Sequence, residues 1–243
     1  MMDWAGKRYW IVGASEGLGA AVARKLSALG VHVILSARSE GPLKDLAQTL
    51  PGPSTVMPVD ITDAKALDAA AEQIGVFDGV VHMAGVYWPM KATDWNPDQA
   101  NAMADVNFTG AMRLMGVVVP RLLAQGHGHI VLTGSLSGFR GLPGAIGYSA
   151  SKAGVMALAE SMYYDLRKTP VKVQLLNPGF IRTRLTEKND FSMPFIMDPD
   201  DAADIYIAHI ASDRFKRSFP TLFSWVFRGS QFLPDWMYFR LFS

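Results

Sequence analysis

From Tyr9 almost to the carboxyl terminus, apolar runs of strand length alternate with stretches of helical periodicity. Each strand-length run is β-branched and shows no alternation of polar and apolar residues, as expected of a strand covered on both faces. Strands that alternate with helices are joined by crossovers, so the rhythm predicts an α/β chain with a parallel sheet between two helix layers. The predicted strands are 9–12, 31–36, 55–59, 79–83, 129–132 and 172–176. The predicted helices are 17–29, 41–50, 63–74, 97–124, 148–167 and 199–211. With 243 residues, 49% of them hydrophobic, and no linker, repeat or low-complexity segment, the expectation is a single domain over 1–243.

Composition removes several function classes. Lys and Arg number 23 against 22 Asp and Glu, a net charge of +1, so neither a basic nucleic-acid surface nor an acidic tail is expected. Cysteine is absent, which excludes disulfide scaffolds, thiolate nucleophiles and cysteine zinc sites. No His or carboxylate lies at metal spacing from His82, so no metal is expected and His82 reads as a hydrogen-bonded core histidine. The first ten residues carry Asp3, Lys7 and Arg8 and lack the apolar core of a secretion signal. The longest apolar temptation, 219–227, is half a membrane span and is followed by Arg228. A cytoplasmic protein without a membrane span, at most peripheral to a membrane, is the expectation.

Directly after the first strand comes Gly13-Ala14-Ser15-Glu16-Gly17-Leu18-Gly19, a glycine-rich turn that opens a helix. Glycine permits positive φ and close approach of backbone to a pyrophosphate, and the helix N-terminus adds free N–H groups and a positive dipole end. The turn, with Ser15 and Leu18 inside it, is the expected dinucleotide site, although turns also use glycine for steric reasons alone. Tyr148 and Lys152 stand four apart, on one helix face, and Ser135 ends the fifth strand thirteen residues earlier. A phenol with a free pKa of about 10 is a poor proton donor or acceptor near neutrality, and a cation beside it lowers that value. Lys152 is expected to supply the cation. Ser135 is expected to hold the substrate oxygen.

These features occur together with Asp60-Ile61, Ala84-Gly85, Asn107, Gly134-Ser135-Leu136-Ser137-Gly138, Tyr148-x-x-x-Lys152 and Asn177-Pro178-Gly179-Phe180-Ile181-x-Thr183. In that order they resemble the single-domain short-chain dehydrogenase/reductase family, from about Lys7 to about Arg184. The resemblance implies a single Rossmann-type, doubly wound parallel sheet in a three-layer α/β/α sandwich, and hydride transfer between a nicotinamide and a carbonyl or secondary alcohol. It implies Tyr148 as general acid in reduction and Ser135 as the group that positions the carbonyl oxygen. Lys152 would lower the Tyr148 pKa and bind the nicotinamide ribose, and Asn107 would hold a water that refills the proton. A mid-helix Asn competes with backbone bonding and suits a locally distorted helix.

For the cofactor the resemblance implies that Asp60 meets the adenine edge and Ile61 its ring, unless Asp60 caps the following helix. Ala84-Gly85 would pass the adenine ribose, and Pro178-Gly179, Ile181 and Thr183 would reach the nicotinamide carboxamide or the phosphates. The second strand ends in Ser36-Ala37-Arg38-Ser39, where an acid would select NAD by bonding the ribose 2′-hydroxyl. Arg38 can instead pair with a 2′-phosphate, so NADP is the expected cofactor with NAD as the alternative. Glu16 either pairs with Arg38 or repels that phosphate. His82-Met83 and Val12 depart from the family pattern, at positions that touch the sheet scaffold.

Two regions exceed what one sheet can cover. Apolar residues occupy nearly every face of 103–119 and spread widely over 155–163, which suggests packing against their copies in a second subunit, for which the family resemblance implies a homodimer or homotetramer, or a core helix under long loops. Nine of the chain's 26 aromatic residues fall in 219–243, where Pro220 and Pro234 predict two short helices. This tail packs on its own domain or a neighbouring subunit, or roofs an apolar site with outer rings that touch a membrane. The segment 184–198 is the expected substrate loop, greasy through Phe191, Met193, Phe195 and Ile196. A catalytically silent dinucleotide-binding regulator and a membrane-peripheral scaffold stand as alternatives to a carbonyl reductase.

Overall fold

The computed structural model describes residues 3–241, which form one seven-stranded parallel sheet in the order β3-β2-β1-β4-β5-β6-β7. The strands are β1 (Arg8–Val12), β2 (His32–Ser36), β3 (Ser54–Val56), β4 (Gly79–His82), β5 (Gly128–Thr133), β6 (Val171–Pro178) and β7 (Lys216–Phe219). The helices are α1 (Gly17–Ala28), α2 (Glu40–Thr49), α3 (Ala64–Ile74), α4 (Pro97–Met103), α5 (Gly110–Gln125), α6 (Ile146–Leu166), α7 (Pro199–Ile210), α8 (Thr221–Ser230) and α9 (Asp235–Leu241). The predicted three-layer, doubly wound sheet is therefore present.

Side-chain alternation along the strands builds a core on each face. Trp10, Ile34, Val80 and Leu132 pack under α3, α5 and α6, whereas Tyr9, Ile11, Leu35 and Val81 pack under α1, α2 and α7. The chain reverses its winding between β1 and β4, where Tyr9 is paired with both Val33 and Gly79. A sheet of this kind opens its ligand crevice beyond the carboxyl ends of the strands at that switch point. A polar chain crosses the second core: the Tyr9 hydroxyl meets His129 Nδ1 at 2.8 Å, and His129 Nε2 meets Gln174 Oε1 at 2.7 Å. Burial holds the His129 imidazole neutral, with a pKa near 3.

Three departures from the predicted elements have local causes. The predicted helix 97–124 is α4 and α5 joined by a π-helical stretch, Ala104–Thr109, with Asn107 inside it. β3 ends at Val56 because Pro58 has no N–H for the ladder, although Met57 and Val59 still bond Leu35 and Ala37. β7 was not foreseen, since Lys-Arg-Ser-Phe carries no apolar run; it is an edge strand paired with β6 alone. The two short tail helices form, with Pro220 and Pro234 directly before them; Phe242 lies outside the described residues. Among the described residues no helix is long and apolar enough to cross a membrane.

Candidate active site

The glycine turn lies where β1 ends. Gly13 and Gly17 have positive φ, +98° and +54°, a backbone state other residues adopt at a cost. A Cβ on Gly13 would stand 2.4 Å from Ala84 N, and one on Gly17 would stand 2.8 Å from Thr183 Cγ2. The turn is thus closed on one side by the end of β4 and on the other by the loop after β6. Ser15 and Leu18 are half-buried there, and Gly19, which would place a Cβ 2.0 Å from Gly13 O, seats α1 against the turn. A cradle built from backbone, emptied of side chains and opening a twelve-residue helix, fits the pyrophosphate of a dinucleotide.

Ser135 follows β5, and its Oγ accepts from Ser137 N at 3.1 Å. The Ser135 hydroxyl also engages the phenol of Tyr148, which α6 carries in its first turn. Tyr148 meets the ring of Tyr87 edge-on at 5.1 Å. One turn further along α6, Lys152 is buried, its Nζ 5.8 Å from the Tyr148 ring centre and donating to Thr133 O at 3.0 Å. Asn107 is fully buried: Oδ1 accepts from Val86 N at 2.7 Å, and Nδ2 donates to Val86 O and Ser151 Oγ, each at 3.0 Å. Gly85 leaves open a space bounded by Asn107 Oδ1 and Lys152 Nζ, which a Cβ would meet at 3.5 and 3.7 Å. The four residues that the sequence nominated therefore converge from β5, α6 and the π-helical stretch. The distortion expected around Asn107 is that stretch.

The electrostatics correct one expectation. Lys152 was to lower the Tyr148 pKa, but burial pushes the phenol up, to about 12, against the smaller lowering effect of Ser135. The same burial pushes Lys152 down to about 8. His82 is a second correction: it is fully buried and neutral, with a pKa near 3 from burial and then Lys152, yet neither ring nitrogen has a hydrogen-bond partner. Among the described residues no donor or acceptor reaches it. Among the described residues no cluster of three metal-ligating side chains occurs.

The remaining nominated residues divide. Asp60 holds Thr62 through Oδ1, at 2.9 Å from N and 2.8 Å from Oγ1, and the cap of α3 is Asp63, not Asp60. Ile61 and Ile181 are buried, Ile61 against Gly110 and Ile181 in the second core. Both side chains pack within the two cores of the sheet. Arg38 is exposed. Glu16 pairs with Arg184 at 3.2 Å, not with Arg38. Beside them in the substrate region, Arg182 pairs with Asp198 and Lys188 donates to Tyr87 O. Pro178 ends β6, and Gly179 N bonds Phe219 O at 2.7 Å.

Beside Ser135 and Tyr148 opens a cavity of about 760 Å³. Its lining is largely apolar: Tyr87, Met90 and Leu142, Phe180 after β6, Leu185 and Phe191 of the substrate loop, and Phe223, Val226 and Phe227 of α8. Tyr87, Met90 and Leu142 were missed by sequence reasoning. Only the position of Tyr87, two residues past Ala84-Gly85, could have hinted at it.

The family model for short chain dehydrogenases matches residues 7–192. An uncharacterized oxidoreductase of Myxococcus xanthus is 36% identical over 233 residues, covering 93% of this chain and 92% of that protein. Another, from Staphylococcus epidermidis, is 35% identical over 201 residues, 81% of this chain and 87% of that protein. A short chain dehydrogenase/reductase from Burkholderia phymatum, solved in complex with NAD, superposes with a TM-score of 0.87 at 25% identity over 94% of each chain. A short chain dehydrogenase from Burkholderia cenocepacia, solved in complex with NADP, gives 0.88 at 23% identity over 100% of each chain, a likeness of fold. By the extent of these matches the chain belongs to the short chain dehydrogenase family, oxidoreductases that move hydride between a nicotinamide dinucleotide and a carbonyl or alcohol group.

Proposed function

We propose that the chain is an NADP(H)-preferring carbonyl reductase or alcohol dehydrogenase acting on a bulky, apolar substrate. The observation that carries this reading is the joint opening of Ser135 and Tyr148 onto a large cavity walled by aromatic and aliphatic side chains. The bound nicotinamide supplies or removes the hydride. Ser135 holds the substrate oxygen, and Tyr148 gives that oxygen its proton as negative charge develops. Burial keeps the Tyr148 phenol protonated, the state from which it can give its proton to an oxygen gaining negative charge. Lys152 holds the nicotinamide ribose, and a water in the space left by Gly85, between Asn107 and Lys152, returns the proton. Gly13, Ser15, Gly17, Leu18, Gly19 and Thr183 cradle the pyrophosphate; Asp60 and the main chain of Ile61 meet the adenine; Ala84 and Gly85 pass its ribose; Pro178, Gly179 and the main chain of Ile181 border the nicotinamide.

The preference for NADP rests on Arg38, which follows β2, is exposed and has no acidic partner among the described residues. The engagement of Glu16 by Arg184 supports it, because the one acid in the turn is already neutralised. We also propose a homo-oligomer formed through α5 and α6. The deciding experiment follows NADPH and NADH absorbance with ketones of graded size. Long-chain and polycyclic ketones are expected to be reduced with higher kcat/KM than acetone, and with NADPH above NADH. Equal efficiency for acetone rejects the apolar substrate, and NADH preference rejects the assignment to Arg38.

A further inference from the structure

The hairpin of α8 and α9 has two unlike faces. Its inner face is clamped to the body of the molecule by Arg140, whose Nη1 donates to Ser230 O at 2.7 Å and Leu233 O at 2.9 Å and whose guanidinium lies 4.0 Å over the Tyr238 ring. The Tyr238 hydroxyl adds a bond to Gly141 O at 2.6 Å. The outer face is apolar and uncovered: Trp225 is 59% exposed, Trp236 69%, Phe239 63%, and Phe232, at the tip between the two helices, 89%. A segment held in this way cannot turn those rings inward, so they stand exposed to water.

We propose that this outer face docks on an anionic lipid bilayer. Tryptophan mixed with arginine is the chemistry of the membrane interface, and here Arg228 lies 4.8 Å over the Trp225 ring. Charge agrees: between 219 and 241 the only acid is Asp235, which Arg140 of the body already holds, while Arg228 and Arg240 lie on the hairpin itself. An apolar face with basic edges and a bulky ring at its tip matches a headgroup layer better than it matches a second protein. The face also runs into the cavity. Val226 and Phe191, both half exposed, line the mouth, so a second copy seated here would stop substrate exchange, whereas a bilayer is where apolar carbonyls dissolve. That last argument rests on the function proposed above; the ring chemistry and the charge do not.

The absence of cysteine makes the test clean. Phe232→Cys, labelled with an environment-sensitive fluorophore, is compared with Gln48→Cys on the exposed side of α2, at the opposite edge of the sheet. On mixing with phosphatidylcholine vesicles containing phosphatidylglycerol, the label at 232 is expected to brighten and shift to the blue while the label at 48 is unchanged. The unlabelled chain should sediment with those vesicles, and the triple variant Trp225→Ser, Phe232→Ser, Trp236→Ser should bind at least tenfold more weakly. No response at 232, or equal responses at both sites, overturns the proposal. So does a triple variant that loses oligomeric mass while still sedimenting with vesicles, since the surface would then belong to a second copy. Ketone reduction in the absence of lipid is measured alongside: its failure with vesicle binding intact would refute the proposed substrate and leave the docking surface standing.

Discussion

Tyr148 and Lys152 are moved in opposite directions by the same burial, the phenol up to about 12 and the ammonium down to about 8. Tyr148→Phe is expected to cut turnover by about 10²- to 10⁴-fold while NADPH affinity stays nearly unchanged, because the phenol acts only as charge develops on the substrate oxygen. Wild-type turnover in that variant would remove the phenol from the mechanism. For Lys152 the consequence is a pH-dependent stability. The folded chain binds fewer protons at this site than the unfolded chain between about pH 8 and the unfolded value near 10.5, so stability rises with pH across that window. Relative to Lys152→Met, the wild type should gain about 3 kcal/mol there, read from urea unfolding at both ends of the window. Parallel curves would show that the ammonium is not desolvated. Arg38→Ala should lower kcat/KM with NADPH by about tenfold or more and leave NADH unaffected, the size expected for a lost charge-assisted bond. Ser135, Tyr148 and Lys152 were legible in the sequence because strand-end and helix spacing carry them to one crevice, and Asn107 was legible only through the family resemblance. The direction of the Tyr148 shift was not, since desolvation depends on Tyr87 and other side chains that arrive from distant loops.

Among the elements, α8 joins the tail to the substrate cavity. Phe223 meets Phe180 at 5.9 Å, Phe195 at 5.4 Å and Phe227 at 5.0 Å, a ring cluster that joins the turn after β6, the substrate loop and the tail. Phe223→Ala should therefore raise KM for a polycyclic ketone by about tenfold or more and change KM for acetone little, given the burial value of a phenyl side chain. An equal change for both would reduce the cluster to packing. Removal of the whole segment 219–243 would be a poorer test, because Phe219 ends β7 and is buried in the second core. Six strands were legible because each is rich in apolar residues; β7 was not, because at the sheet edge only its Phe219 is buried while Lys216, Arg217 and Ser218 stay exposed or half-buried. Asn107 signalled a break in the helix, and its three hydrogen bonds to Val86 and Ser151 account for it by holding that turn away from regular α register.

At the scale of the whole molecule, neighbouring residues of β1 anchor opposite cores, Tyr9 one and Trp10 the other, so neither face of the sheet can come apart without the other. The apolar surplus of 103–119 is spent mostly inside the chain: Met103 is buried beneath Val86, Tyr87 and Tyr148, and Leu114, Met115 and Val118 lie in the first core. What remains on this layer is smaller and lies outward, with Met112 48% exposed on α5 and Tyr164 65% exposed on α6. Residues of that size, left open on two of the three helices that cover one face of the sheet, suit an isologous contact in which each helix meets a copy of this layer. Light scattering at micromolar concentration should give a multiple of 26.5 kDa, and Met112→Lys combined with Tyr164→Glu should return it to the single-chain mass with far-ultraviolet circular dichroism unchanged. The charges are opposite, so the pair alters the contact without altering the net charge of the chain. A wild type that scatters as a single chain would leave Met112 and Tyr164 as ordinary exposed side chains. An oligomer that survives both substitutions would place the contact on another face.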